Sequence, residues 1–189
     1  MSSFSVIYDA CVLYPAPLRD LLMRLALRDL FRARWTEQIL DEMERAILRQ
    51  RSDLSPEKLR RTRELMNQHV RDALVADYQQ LIPAVELPDP DDRHVLAAAI
   101  RSGAQVIVTY NRKDFPDGAL RKWGIEVQHP DDFVEHLLSL HQAVVLETVR
   151  QQRLALQNPP KSPEELFTSF LNQQLTKTVA VLQEFVNLI

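Results

Sequence analysis

Short runs of hydrophobic residues, separated by longer amphipathic stretches, predict buried strands joined by helices. Residues 4–8 (FSVIY) are rich in β-branched and aromatic side chains, so they predict a first strand that is buried on both faces and ends at Asp9. Residues 104–109 (AQVIVT) predict a second strand of the same kind, and residues 125–128 predict a weaker third. Strands separated by helices pair in parallel through crossover connections, so the pattern indicates an α/β fold.

Helical spacing and capping signals predict the helices that follow the first strand. Leucines spaced for one helix face predict a helix over residues 18–31. Thr36 is a predicted N-cap for the next helix, which carries Glu42 beside its apolar stripe. Ser55, followed by proline and glutamate, predicts the start of a third helix, which we expect to run to about Asp77.

An acidic turn precedes the second strand. Residues 87–92 (LPDPDD) are turn-forming and acidic, and the VLAAAI run after them predicts a helix that ends near Gly103. Asp92 stands where aspartate commonly caps a helix through its side chain. Capping and chemistry are therefore both open interpretations for Asp92.

The chain beyond about His141 is predicted to form a separate helical region. A helix over residues 144–156 is broken by Asn158-Pro159-Pro160, and residues 162–165 form a predicted capping box with proline at the first helical position. We therefore expect a sheet-containing domain over residues 1–140 and a helical C-terminal extension over residues 141–189. The extension carries no cluster of reactive residues, so its expected role is packing onto the domain or a partner.

Composition excludes several classes of protein. The chain has 189 residues and only three glycines, none close enough together for a phosphate loop of the P-loop or dinucleotide type. The single cysteine, Cys11, excludes an intramolecular disulfide and a thiolate zinc site. No apolar run approaches the roughly 18 residues of a membrane-spanning helix. We therefore expect a cytoplasmic, soluble protein with no membrane contact.

Positive charge is concentrated locally although the net charge is -3. The segment from Arg45 to Arg63 contains seven basic residues and only two acidic ones. A second basic group includes Arg112. A solvated helical face is the commoner role of such a run. The alternative is a phosphate-binding surface, which would use Arg45, Arg49 and Arg112.

Four carboxylates from separate segments are predicted to meet at one edge of the sheet. Ligands of open parallel sheets bind beyond the carboxyl ends of the strands, where Asp9 and the loop after the second strand would lie. Clustered carboxylates repel one another, and an all-oxygen set favours Mg²⁺ or Mn²⁺ over zinc. Hydrolysis of nucleic-acid phosphodiesters suits such a site. The four candidate metal ligands and catalytic residues are Asp9, Glu42, Asp92 and Asp114.

The order of these motifs resembles the PIN-domain family, and specifically the VapC-like toxins of bacterial toxin–antitoxin systems. The resemblance covers roughly residues 4–135 and is carried by FSVIYDACVLYP, TEQILDEM and DPDDRHVLAAAIRSGAQVIVTYNRKDFP. It implies a Rossmann-like parallel sheet flanked by helices and an endoribonuclease that depends on Mg²⁺ or Mn²⁺. It assigns the metal to the same four acids, and it implies that Thr109 and Asn111 orient water or phosphate.

The resemblance also implies partners: an RNA substrate, a protein antitoxin that holds the enzyme inactive, and a second copy in a homo-oligomer, expected to be a dimer. One departure is Cys11, which stands where the family often has asparagine and which we expect to pack as a small apolar residue. Asp89 and Asp91 compete with Asp92 as the third acid.

Two alternative functions remain at this point. A catalytically silent PIN-like module would bind RNA or a protein partner without cutting. A phosphoacceptor signalling domain would need paired acids at the end of the first strand, which Tyr8-Asp9-Ala10 does not supply. The presence of all four acids favours the enzyme.

Overall fold

The computed structural model describes residues 4–189, and their contacts divide the chain into two compact units. The first unit comprises Met1–Tyr14 and Phe31–His129, and the second comprises Pro15–Leu30 and Pro130–Ile189. The first three residues of the predicted 1–140 domain lie outside the described residues.

The described part of the first unit contains one parallel sheet of four short strands in the order β2-β1-β3-β4. Ile7 pairs with Arg34 on one side and with Ile107 on the other, and Ile107 pairs in turn with Val127. The predicted fold class, a Rossmann-like parallel sheet flanked by helices, is confirmed. The strands are β1 Ser5–Tyr8, β2 Arg32–Arg34, β3 Val106–Val108 and β4 Glu126–Gln128.

Strand β2 is absent from the sequence-based prediction, which extended a helix to residue 31. That helix ends at Ala26, and Asp29 takes a left-handed conformation (φ 57°) that turns the chain. Strand β2 consists of Arg-Ala-Arg, and only Ala33 is buried. It therefore lacks the run of apolar residues that indicates a central strand in a sequence. Edge strands exposed on both sides carry little hydrophobic signal.

Two helices of the first unit begin at their predicted caps, Thr36 and Ser55. The Thr36 hydroxyl accepts a hydrogen bond from the Ile39 amide at 3.1 Å, and Gly103 ends its helix with φ 62°. One helix is shorter than predicted: it ends at His69 rather than near Asp77, because the backbone becomes extended at the next residue. The helices are α1 Ala10–Leu13, α3 Glu37–Gln50, α4 Pro56–His69, α5 Arg93–Ser102 and α6 Asp117–Leu120.

Large side chains pack tightly against the sheet of the first unit. Tyr8, Trp35 and Phe115 are fully buried, and the rings of Tyr8 and Trp35 stack with centroids 6.4 Å apart. Burial of each such side chain contributes on the order of 2 kcal/mol. This packing makes the ends of β1 and β3 a fixed platform for the residues that follow them.

The second unit is helical, as predicted for the C-terminal region. The predicted capping box is present: the Ser162 hydroxyl accepts from the Glu165 amide, and the Glu165 carboxylate accepts from the Ser162 amide. The backbone of the helix over Pro130–Ala155 (α7) leaves helical geometry at His141, while the domain boundary at residues 140 and 141 stays a prediction. No helix among residues 4–189 is long and apolar enough to cross a bilayer. The helices are α2 Ala16–Ala26, α7 Pro130–Ala155, α8 Pro163–Leu171 and α9 Thr176–Glu184.

Candidate active site

The site lies where the strand order reverses. Strand β1 has β2 on one side and β3 on the other, so the connections to these strands leave in opposite directions and open a crevice at the carboxyl ends of β1 and β3. Asp9 follows β1, and Thr109 follows β3. The Asp9 amide donates to the Val108 carbonyl at 3.1 Å, which places both segments at this edge.

Asp9 is held in place by its neighbours. Its side chain is buried, and Oδ2 accepts a hydrogen bond from the Thr109 hydroxyl at 2.7 Å. That hydroxyl oxygen also accepts from the amide of Asn111, which itself is exposed, at 3.0 Å. Thr109 has no exposed surface, and its hydroxyl orients the Asp9 carboxylate. The role predicted for Thr109 and Asn111 in orienting water or phosphate stays a prediction.

Cys11 takes part in the same hydrogen-bonding cluster. Its thiol donates to Asp9 Oδ2 at 3.2 Å, and its sulfur accepts from the Tyr110 amide at 3.3 Å. Burial, and then the negative charge of Asp9, raise the pKa of the Cys11 thiol, which therefore stays protonated and able to donate. The expectation that Cys11 packs only as an apolar residue is wrong, because the thiol occupies a polar position beside the acid.

Asp92 does not cap the helix that follows it. Its backbone is already helical (φ -84°, ψ -5°), and its side chain makes no capping hydrogen bond. The side chain of Asp89 does the local capping instead, accepting from the Asp91 amide at 2.9 Å. The capping interpretation of Asp92 is therefore wrong, and its half-buried carboxyl group needs another explanation.

The charge around Asp92 comes from other acids. Burial, and after it the negative charges of Asp9, Asp89 and Asp114, raise its pKa to about 7, while His94 acts in the opposite direction. Asp9, Asp92 and Asp114 are three of the four predicted acids. The fold thus brings together carboxylates that are far apart in the sequence and leaves them repelling one another.

Glu42, the fourth predicted acid, lies on α3 and contacts a histidine. Its Oε1 is 3.0 Å from Nε2 of His94, which is 3% exposed. Glu42 and Asp92 line one cavity of about 630 Å³ together with Arg45 and Arg49. The sequence-based prediction missed His94; the available signal was a polar side chain inside the apolar helix run, at a position that proves buried.

The chemistry of the acids fits a hard divalent cation. Their donors are all carboxylate oxygens, and the repulsion that helps raise the pKa of Asp92 is the kind that a bound cation relieves. Among residues 4–189, no group of three or more His, Cys, Asp or Glu side chains is already arranged to hold a metal ion. The donor set is therefore suitable, while a closed coordination shell is not preformed.

The basic run divides into two parts. Arg63, at the C-terminal end of the run, forms salt bridges with Glu37 and Asp41. These ion pairs join α4 to α3 and give Arg63 a structural role. Arg45 and Arg49 form no salt bridge within the described part of the chain, and each donates Nε to a backbone carbonyl one turn earlier. Both line the cavity with Glu42 and Asp92, whereas Arg112 is exposed in the loop after β3.

Comparisons with known proteins match both parts of the chain. A family model described as "PIN domain" matches residues 5–113, and one described as "VapC50 C-terminal domain" matches residues 130–184. The chain is 39% identical over 108 residues to the protein named "Putative ribonuclease VapC50" of Mycobacterium tuberculosis strain H37Rv. That alignment spans 57% of this chain and 63% of the relative. No solved structure matches the chain significantly.

Proposed function

Because the chain belongs to the PIN-domain family, we propose that it is an endoribonuclease dependent on Mg²⁺ or Mn²⁺, acting as the toxin of a toxin–antitoxin system in the cytoplasm. The observation that carries the proposal is the clustering of Asp9, Asp92 and Asp114, whose mutual repulsion helps to raise the pKa of Asp92. A silent binding module has no need for mutually repelling carboxylates gathered at one edge of the sheet. The similar protein of Mycobacterium tuberculosis is named as a ribonuclease, which supports the same activity.

The four acids would hold the cation. Asp9, Asp92 and Asp114 supply carboxylate oxygens at the edge of the sheet, and Glu42 supplies another from α3. When bound, the cation stabilises the negative charge that develops on the scissile phosphate. Thr109 keeps the Asp9 carboxylate oriented through its 2.7 Å hydrogen bond, which limits the reorganisation needed on binding.

Substrate binding would use the positive side of the cavity. Arg45 and Arg49 line the cavity, and neither forms a salt bridge with a carboxylate among residues 4–189, so their guanidinium groups can bind RNA phosphates. Arg112 and Asn111 are both exposed in the loop after β3 and would contact the same RNA strand as Arg45 and Arg49. The net charge of the chain is negative, so RNA binding would depend on the local placement of these arginines.

RNA cleavage tests the proposal directly. The purified 189-residue chain should cut single-stranded or loop-containing RNA with Mg²⁺ or Mn²⁺ and stop when EDTA is added, across a panel of structured RNAs. Asp92→Asn should abolish cleavage, because it removes a charge while keeping the size of the side chain. Asp53→Asn is the matched control, since that exposed carboxylate pairs with Arg51 and does not raise the pKa of Asp92. Cleavage that is equal with and without chelator would refute metal dependence.

The toxin assignment needs a cellular test. Induced expression of the wild-type protein should arrest bacterial growth, and expression of Asp92→Asn at the same level should not. Co-expression of a neighbouring small open reading frame that encodes the antitoxin should restore growth, and the two proteins should co-purify. Harmless accumulation of folded wild-type protein would contradict the toxin role while leaving nuclease activity open to the RNA assay. Association of the chain into a dimer stays a prediction, measurable by light scattering.

A further inference from the structure

His94 is buried beside the acids but has only half of its polar groups engaged. Its Nε2 lies 3.0 Å from Glu42 Oε1, within the range of a charge-assisted hydrogen bond. A carboxylate oxygen only accepts, so the contact is favourable when the hydrogen is on Nε2. The other ring nitrogen, Nδ1, is buried and has no hydrogen-bond partner among the described residues. An unsatisfied buried polar atom costs about 1–3 kcal/mol.

That cost argues against a purely structural role for His94. The six side chains from His94 to Ala99 are all buried, so an apolar side chain at the first position would fill the same space without leaving Nδ1 unpaired. The benefit that offsets the cost must lie on the Nε2 side of the ring. On that side lies Glu42.

The donors around Glu42 converge on one of its two oxygens. Oε1 is the atom near His94, and it also accepts from the Gln38 side-chain amide at 3.4 Å. Gln38 in turn accepts a hydrogen bond from the Tyr78 hydroxyl at 3.4 Å. Oε2 makes no hydrogen bond to any residue from 4 to 189, and Glu42 lines the cavity that also contains Asp92.

We propose that His94 is a positioning residue: Nε2–H holds Oε1 of Glu42, so that Oε2 is presented to the cavity for the reaction. The proposal rests on the nuclease function proposed above. His94 acts only through Glu42 and touches neither RNA nor cation. Supporting groups of this kind typically change metal affinity or activity by about 10–100-fold when removed.

A mutant cycle with RNA cleavage and Mn²⁺ binding tests this role. His94→Leu removes the donor, and His94→Gln keeps an N–H on a side chain of similar reach. We expect His94→Leu to lower kcat about 10–100-fold and to weaken Mn²⁺ binding measured by calorimetry, with KM for RNA little changed. His94→Gln should recover most of both. In a Glu42→Gln background, His94→Leu should have little additional effect.

Equal losses in His94→Leu and His94→Gln, or the same His94→Leu penalty with and without the Glu42 carboxylate, would overturn the proposal. Thermal melts of each variant show whether the loss reflects unfolding, and an effect confined to the melting temperature would also overturn it.

A spectroscopic measurement separates this proposal from the nuclease function. In the metal-free 189-residue chain labelled with ¹⁵N-histidine, the His94 signals should show hydrogen on Nε2, and they should shift when Glu42 is replaced by leucine. A neutral ring with its hydrogen on Nδ1, or signals insensitive to Glu42, would refute the positioning role even in an active nuclease. Absence of RNA cleavage together with the expected Nε2–H signals would refute the nuclease function and retain the His94–Glu42 contact.

Discussion

Asp9 in the first unit and Asp131 in the second are equally well buried, yet their surroundings are opposite in character. Asp131, at 4% exposure, accepts hydrogen bonds from the backbone amides of Lys177 and Thr178, both at 2.9 Å, and from the Thr176 hydroxyl at 3.2 Å. These residues begin α9, whose own N-cap position makes no side-chain cap, so Asp131 serves as the cap from a distant part of the chain. Its charge is matched by donors and by the positive end of a helix.

Asp9, at 5% exposure, also accepts hydrogen bonds, but its neighbourhood contains other carboxylates. Repulsion among them works against folding, and no stability argument explains why they are gathered there. A buried acid surrounded by donors has a structural role, whereas a buried acid among acids indicates a site for a positive ligand. Substitutions at the two positions should therefore separate activity from stability.

The largest expected effect is the loss of cleavage in Asp9→Asn. Removing the charge of a proposed metal ligand should lower the rate by more than about 100-fold, beyond the usual effect of groups that only support a ligand. Metal-free stability should stay near wild type, because Thr109 and Cys11 can still donate to the amide oxygen. Cleavage rates with Mg²⁺ or Mn²⁺ and urea unfolding measure the two effects. Wild-type activity in this variant would end the nuclease hypothesis.

Asp131→Ala should show the reverse pattern. Loss of the cap and of charge-assisted hydrogen bonds to α9 should lower the free energy of unfolding by about 2–3 kcal/mol. Asp131→Asn is the matched control and should lose less, since its amide oxygen can keep some of these bonds. The folded fraction of either variant should still cleave RNA. A variant with unchanged urea stability would show that α9 does not need this cap.

A smaller effect is expected in the pH dependence of metal-free stability. The pKa of Asp92 is raised from an ordinary 3.8 to about 7, so its favourable contribution is fully present below about pH 4 and is lost as the pH rises through about 7. Asp92→Asn lacks this dependence, so its stability relative to wild type should grow by roughly 1–2 kcal/mol over that range, allowing for solvent screening. Urea unfolding at several pH values measures it. Saturating Mg²⁺ should reduce the difference in stability between Asp92→Asn and wild type. If that difference does not change with pH, Asp92 lies outside the acid cluster.

The smallest effect concerns the cavity arginines. In the inactive Asp92→Asn background, Arg49→Gln should weaken RNA binding and reduce the slope of log affinity against log salt by about 1. Arg60→Gln is the matched control within the same basic run, because that exposed arginine only approaches Glu64 at 3.9 Å. Fluorescence anisotropy at several salt concentrations compares them. Equal slopes for the two variants would make the cavity arginines ordinary solvated residues.

Sequence patterns predicted those parts of the molecule in which local chemistry and the fold agree. The apolar runs of β1 and β3, the Thr36 and Ser55 caps and the Ser162 capping box depend on neighbouring residues, so the sequence contains their full signal. The PIN-domain resemblance is confirmed by the family match over residues 5–113, and the approach of Asp92 to Asp9 and Asp114 agrees with the predicted topology.

The parts that sequence patterns missed depend on contacts between distant residues. Strand β2 forms because its backbone pairs with the edge of β1, whereas its own side chains are mostly polar. The polar role of Cys11 requires Thr109 and Tyr110, about 100 positions away, and the contact of His94 requires Glu42 on another helix. Local propensity carries no information about such partners, so Cys11 was expected to be apolar and His94 was overlooked.

The bond between Thr109 and Asp9 joins residues 100 positions apart, which has a consequence for biosynthesis. Asp9 leaves the ribosome early, but its orienting hydroxyl and the last acid, Asp114, are translated much later, and β3 must then pair with β1. Contacts between residues so far apart in the sequence form late, because closing the intervening loop costs conformational entropy before the contact stabilises the chain. During most of translation the nascent chain therefore carries no complete site, and the proposed nuclease activity can begin only after Thr109 and Asp114 have been translated and β3 has paired with β1.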